Sequence, residues 1–144
     1  MIKIICVGKL KEKYLIDACL EYKKRISKYT NIELIELKDS NIIKEKEEIL
    51  KYIDKKDYII TLQIDGEIID SIQLSNKIDK IFINNPNITF IIGGSDGLDD
   101  EIKKISDYAL SFSKLTFPHQ LFRVMLLEQI YRSFKIINNE TYHK

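Results

Sequence analysis

The chain has 144 residues with no tryptophan, two cysteines, two prolines and five glycines, and each scarcity narrows what it can be. Cys6 and Cys19 lie within apolar patterns instead of at metal-ligand spacing, so they read as buried reduced thiols and no metal is expected. No stretch approaches the eighteen or so apolar residues that a membrane helix needs, and Ile2–Val7 is too short for the core of a signal peptide. The expectation is a cytoplasmic protein. There is no low-complexity run, internal repeat or linker, and composition (44% hydrophobic, 31% charged) is ordinary for a globular chain. One domain spanning 1–144 follows. Neither a dinucleotide fingerprint nor a phosphate-binding loop with its Lys-Ser/Thr is present, which argues against a nucleotide-dependent enzyme on an ordinary doubly wound fold.

The net charge of +1 hides a division along the chain. Residues 1–30 carry eight Lys/Arg against three acids, residues 31–113 ten against seventeen, and residues 114–144 five against two. Both ends are basic, and both histidines, His119 and His143, fall in the last segment. If the fold joins the ends, they form a positive surface suited to RNA phosphates; otherwise the charges are solvated helix faces. Lys9, Lys11, Lys13, Lys23, Lys24 and Arg25 are the residues such a surface would use.

Apolar periodicity alternates strands with helices, the α/β pattern of a mainly parallel sheet with flanking helices. The strands read as Lys3–Val7, Ile32–Leu37, Tyr58–Ile64, Ile88–Ile92 and Ala109–Phe112. Lys13–Lys28 reads as a helix with Ile16, Cys19, Leu20 and Ile26 inward, and Lys44–Ile53 as a second with Ile49, Leu50 and Ile53. Asp65-Gly66 predicts a turn after the third strand. Ser71 then caps a helix through Phe82, with Ile72, Ile78, Ile81 and Phe82 inward, which Asn84-Asn85-Pro86-Asn87 ends. A short helix starts near Asp99 or Asp100, and the last starts at Pro118. Leu121–Ile137 has little polar face, so this helix must be covered on more than one side: by a second copy in a homodimer, or as the central helix of a monomer.

Three constellations could carry chemistry. Three of the five glycines fall in Gly93-Gly94-Ser95-Asp96-Gly97-Leu98, between a strand and a helix. Such a crossing either lets backbone amides approach a ligand at the carboxyl end of a sheet or is simply a tight turn. Residues 110–120 pass from a strand through small hydroxyls and apolar side chains into the long helix, a setting for a flat, mostly uncharged ring. The tail Thr141-Tyr142-His143-Lys144 places an aromatic, an imidazole and a cation beyond the last helix.

The runs Val7-Gly8-Lys9-Leu10-Lys11-Glu12-Lys13-Tyr14, Phe90-Ile91-Ile92-Gly93-Gly94-Ser95-Asp96-Gly97-Leu98, Leu110-Ser111-Phe112-Ser113-Lys114-Leu115-Thr116-Phe117-Pro118-His119-Gln120, Arg123, Glu128-Gln129-Ile130-Tyr131-Arg132 and Tyr142-His143-Lys144 resemble the RlmH family. These are the small SPOUT methyltransferases that methylate N3 of a pseudouridine, position 1915, in 23S ribosomal RNA of the large subunit. The resemblance runs from end to end and departs around residues 39–50, where the chain is several residues shorter and has Glu48 in place of a glycine. It implies a deep trefoil knot in the C-terminal half, which sequence physics would not produce. It also implies S-adenosylmethionine as cofactor, contacted by Leu62, Gly93, Phe112, Ser113, Lys114, Leu115, Thr116 and Phe117. His119, Arg123, Tyr142 and His143 are the implied catalytic candidates, and large-subunit ribosomal RNA, within the assembled ribosome, is the implied partner. Glu128 and Arg132, four apart on one helix, read as a structural pair. The competing reading is a non-catalytic ribosome-binding factor on the same fold.

Overall fold

Alternation of apolar side chains makes each strand two-sided, and two cores follow from it. In the computed structural model, which describes residues 1–144, the elements are β1 (Ile2–Val7), α1 (Lys13–Ile26), β2 (Ile32–Leu37), α2 (Ile42–Leu50), β3 (Asp57–Ile68), α3 (Ser71–Asn84), β4 (Asn87–Ile92), α4 (Asp100–Ile105), β5 (Tyr108–Ser111) and α5 (His119–Ile137). The strands form one sheet in the order β2-β1-β4-β3-β5, every pair parallel. Ile2, Ile4 and Cys6 of β1 face a core shared with Phe90, Leu126, Ile130 and Phe134, which α1, α3 and α5 cover. Ile5 and Val7 face a smaller core with Ile49, Leu98 and Ile102, which α2 and α4 cover. The sheet is therefore buried on both faces, as parallel sheets are.

Both cysteines are buried and free, as read from the sequence. The inward face of α1 is Leu15, Cys19 and Ile26; Ile16 and Leu20 are exposed, because this helix has apolar residues on two faces and the sheet takes the one containing Leu15. On α2 only Ile49 of the expected apolar set is buried, with Leu50 turned outward. On α3, Leu74 joins Ile78 and Ile81 in the core while Ile72 is exposed. The cap of α3 is Asp70, one residue before the expected Ser71. Its carboxylate accepts from Gln73 N at 2.7 Å and Gln73 Oε1 accepts from Asp70 N at 2.9 Å, a reciprocal pair that Ser71 could not make.

Asp65-Gly66 is not a turn that ends the third strand. β3 follows β5 as far as Leu62 opposite Leu110, leaves the ladder for residues 63–66, and rejoins it with Glu67 opposite Leu110 and Ile68 opposite Ser111. Gly66 permits this detour, since a Cβ there would lie 2.7 Å from the Leu110 carbonyl carbon and 2.8 Å from that of Ala109. Gly66→Ala should therefore destabilise the fold by about 1–3 kcal/mol, the usual cost of forcing atoms into packed backbone, as read from urea denaturation.

At the opposite, N-terminal edge of the sheet, Asp57 ties three strands together. Its carboxylate accepts from Lys3 Nζ at 3.2 Å, Asp54 N at 3.0 Å, Thr89 Oγ1 at 2.9 Å and Asn87 Nδ2 at 3.0 Å, with no exposed side-chain surface. Burial opposes the charged form, but these donors outweigh it and hold the carboxyl below the usual aspartate range. A carboxyl that binds its proton more weakly folded than unfolded contributes stability above its unfolded value near 3.9, and that stability is lost as pH falls through the folded value. Acid unfolding should thus steepen below pH about 4, and Asp57→Asn should flatten that limb of the curve.

Candidate active site

Three strand ends and one helix start converge on a single cavity of about 320 Å³. β3 supplies Leu62 and the detour residues Gln63, Ile64 and Asp65; β4 supplies Ile92 and the glycine turn; β5 supplies Leu110 and the loop that follows; α5 supplies His119 and Phe122. This is the carboxyl edge of a parallel sheet, where open α/β folds bind ligands, and the volume lies at the lower end of small-molecule sites.

Each loop has a local reason for its shape. Gly97 has φ +77° and its N–H donates to Gly94 O at 3.0 Å, closing the turn. Gly93 lies against it so closely that a Cβ would stand 2.7 Å from the Gly97 carbonyl oxygen. The two readings of this glycine run therefore coincide, a tight turn that also walls the cavity. In the second loop Ser111 Oγ donates to Ser113 O at 3.1 Å, and Ser113 Oγ accepts from Leu115 N at 3.0 Å, which folds the loop over the cavity. Phe122 meets Phe112 at 4.8 Å and Phe117 at 6.2 Å between ring centroids, so an aromatic cluster forms the wall nearest α5. Gln63 Nε2 donates to Thr61 Oγ1 at 2.7 Å, and Thr61 is in turn 2.7 Å from Ser106 Oγ. The only Asp, Glu, Lys or Arg side chains on the lining are those of Asp65 and Lys103.

Of the cofactor contacts expected from sequence, Leu62, Gly93, Phe112, Ser113, Leu115, Thr116 and Phe117 line the cavity, and Lys114 does not. Of the four catalytic candidates, His119 alone lines it. Arg123 is 2% exposed; its guanidinium donates to the Glu36 carboxylate and, at 2.9 Å, to Gly8 O, while Leu10 N donates to the same carboxylate at 2.9 Å. Arg123 thus ties α5 to the β1–α1 loop and to β2. No sequence signal marked Glu36 as its partner, because the two are 87 positions apart. Gln63 and Lys103 were also missed, since neither stands in a recognisable motif, and Asp65 was read only as a turn residue.

Tyr142 and His143 pack on α5. Tyr142 OH donates to Glu128 Oε1 at 3.2 Å, its ring meets Tyr131 edge-on at 5.0 Å, and Arg132 Nη1 is 3.0 Å from His143 Nδ1. Glu128 and Arg132 do form the helix pair expected, at 2.6 Å. A second hollow of about 500 Å³ borders the first, sharing Leu110 and Phe112 and lined further by Tyr22, Leu74, Val124, Met125 and Glu128.

The two basic ends do meet. α1 packs along α5, and Tyr29 OH donates to Glu140 Oε1 at 2.8 Å. Lys9, Lys11, Lys13 and Lys24 are exposed, Lys23 and Arg25 partly so, with Lys13 and Arg25 paired to Asp17 and Glu21. No helix is long and apolar enough to cross a membrane, and no group of three or more His, Cys, Asp or Glu could hold a metal ion.

Comparison with known proteins agrees with this geometry. The family described as "Predicted SPOUT methyltransferase" matches residues 1–143. The chain is 53% identical to the ribosomal RNA large subunit methyltransferase H of Clostridium botulinum over 99% of both chains, and 48% identical to that of Caldicellulosiruptor bescii over the whole of both. These alignments run to 157 and 154 positions, longer than the chain, so the relatives carry residues that it lacks. Among solved structures, one described as "a probable methylase family protein from Haemophilus influenzae" matches 99% of this chain and 70% of its own, with TM-score 0.60 at 11% identity. A SpoU methyltransferase from Streptomyces viridochromogenes, solved in complex with AdoMet, matches 92% and 60%, with TM-score 0.50 at 8% identity. At such low identity these two speak for the fold, and the close relatives speak for the lineage: the chain belongs to the SPOUT methyltransferase family, among the ribosomal RNA large subunit methyltransferase H proteins.

Proposed function

We propose that the chain methylates N3 of a pseudouridine, position 1915, in 23S ribosomal RNA of the large subunit, using S-adenosylmethionine and acting in the cytoplasm on the assembled ribosome. The observation that carries this reading is the cavity at the ends of β3, β4 and β5, whose lining takes in seven of the eight expected cofactor contacts. The site fits the cofactor by its chemistry. Adenine can be held by backbone groups while Phe112, Phe117 and Leu62 cover it, and a sulfonium needs no dedicated counter-ion. Asp65 and the Ser113 and Thr116 hydroxyls are available for ribose hydroxyls. S-adenosylmethionine supplies the electrophilic methyl group; the new N3–CH₃ bond forms as the bond from that carbon to sulfur breaks.

The chain's own contribution is orientation and proton handling. Methyl transfer requires nitrogen, carbon and sulfur in line, so the walls set by Gly93 and the 112–117 loop do most by holding one partner still. The weakly acidic N3 proton must leave, and we assign its removal to His119, which is supported by His119 being the one catalytic candidate on the cavity lining. Arg123 enters as a positioning residue, fixing the Gly8–Leu10 loop beside α5.

Tyr142 and His143 lie outside their own chain's cavity lining, and the reading therefore includes a homodimer in which one tail completes the partner's site. α5 buries Leu126, Leu127, Ile130 and Phe134 within its own protomer, so the case for a second copy rests on what stays uncovered: exposed Leu121, half-buried Val124 and Met125, and the adjoining hollow. The C-terminal trefoil knot belongs to the same reading and rests on the family. A non-catalytic ribosome factor is disfavoured, because decay would first remove the glycine turn and the hydroxyl loop, both of which are intact. The test is transfer of labelled methyl from S-adenosylmethionine to assembled ribosomes carrying unmethylated RNA, with light scattering of the protein for mass. Incorporation at a single pseudouridine by a dimer is expected. Binding to ribosomes without incorporation would leave the non-catalytic reading.

A further inference from the structure

Arg132 is held more tightly than a helix-surface pair requires. Its Nε and Nη2 both donate to Glu128 Oε1, at 2.9 and 2.6 Å, and its Cζ lies 4.8 Å from the centre of the Tyr142 ring. Tyr142 OH donates to that same oxygen at 3.2 Å. With the guanidinium so fixed, Nη1 points a remaining proton at His143 Nδ1, 3.0 Å away. A guanidinium donates and never accepts, so Nδ1 must offer its lone pair, and the imidazole's one proton has to sit on Nε2.

We infer that Arg132 fixes His143 as the neutral Nε2–H tautomer, making it a hydrogen-bond donor toward the reacting base and not the group that removes its proton. This rests on the tail's proposed place in the partner's site and says what the tail does there. When the N3–H bond breaks, its electron pair spreads onto the two carbonyl oxygens that flank N3. An Nε2–H aimed at one of them stabilises that charge as an oxyanion donor does, while the proton goes to His119. Arg132 and Glu128 are then positioning residues: they touch the tail, and the tail touches the base.

The chain's two histidines make the tautomer directly readable. In long-range proton–nitrogen correlation spectra of the full-length labelled protein, with His119→Asn used for assignment, His143 should show a protonated Nε2 and an unprotonated Nδ1. Arg132→Leu should move both toward the averaged positions of exchanging tautomers. Arg132→Lys, which keeps a charge opposite Glu128 and so guards against misfolding, should do the same, because an ammonium lacks the planar fork. In turnover, His143→Gln keeps an N–H near the Nε2 position but cannot act as a base, and should lose only about tenfold; His143→Leu should lose about 10²–10³-fold, the usual cost of removing such a donor. S-adenosylmethionine binding should be unchanged in both. Equal loss in the two variants, or a wild-type His143 with its proton on Nδ1 or averaged between nitrogens, would overturn the inference. If the tautomer is as stated but His143→Leu methylates at full rate, the tail's place in the site fails and the donor role with it, while the Arg132–His143 pairing stands.

Discussion

A chain lacking Thr141–Lys144 should bind S-adenosylmethionine like the full chain and methylate ribosomal RNA at least about a hundredfold more slowly, the lower end of what positioned acid–base and donor groups contribute. The cavity lining contains no residue of this segment, so affinity for the cofactor has no reason to change. The fold should also survive. Thr141, His143 and Lys144 are exposed, Tyr142 is only half-buried, and the core beneath is closed by Tyr131 and Phe134, which stay. Calorimetric titration and labelled-methyl transfer on the same preparation separate the two effects. Unchanged turnover would remove Tyr142 and His143 from the mechanism and leave His119 alone with the chemistry.

The glycine turn offers the second large effect. Gly93→Arg should abolish cofactor binding, and Gly93→Ala should come close to doing so, because the clash begins at Cβ. That atom would meet the carbonyl oxygen and carbon of Gly97 at 2.7 and 2.8 Å and the Leu98 side chain at 3.0 Å, so the turn must move and take the cavity wall with it. Gly97 provides the contrast within one turn. A Cβ there meets nothing within 4 Å, but φ is +77°, so Gly97→Ala should cost about 1 kcal/mol of left-handed strain and leave most of the affinity. Titration of both variants, each shown folded by circular dichroism, checks the pair. Equal affinities for Gly93→Ala and the parent would place the cofactor elsewhere.

The order of strands and helices could be read from the sequence because punctuation and period agreed: Pro86 closes α3, Pro118 stands at the cap of α5, and each strand is an apolar run of a few residues. What could not be read is whatever depends on distant neighbours. The sheet order joins strands that are never adjacent hairpins, and no local signal encodes it. The inward face of α1 was ambiguous because Leu15, Ile16, Cys19 and Leu20 wrap more than one side of the helix, and only packing on the sheet chooses. Asp65-Gly66 carries the usual composition of a turn, yet its glycine answers a different need, close passage over Ala109 and Leu110. For the site, the glycine run and the 110–120 loop were legible as patterns. Most of the cofactor roles came from resemblance, and the polar fringe of Gln63, Asp65 and Lys103 came only with the fold.

The all-parallel order β2-β1-β4-β3-β5 also bears on how the molecule is made. No two strands can zip from a short loop, since a parallel pair needs a full crossover between them. β1 must wait for β4 as its second neighbour, with Ile2 opposite Ile88, and β3 meets β5 only when residues near 108–111 have been synthesised. Such long-range pairing makes folding slow. During translation only β1 and β2 can pair before β4, ending at Ile92, is free, and the sheet is complete only when β5, ending at Ser111, has left the ribosome, the particle on which, in our reading, the finished protein later acts.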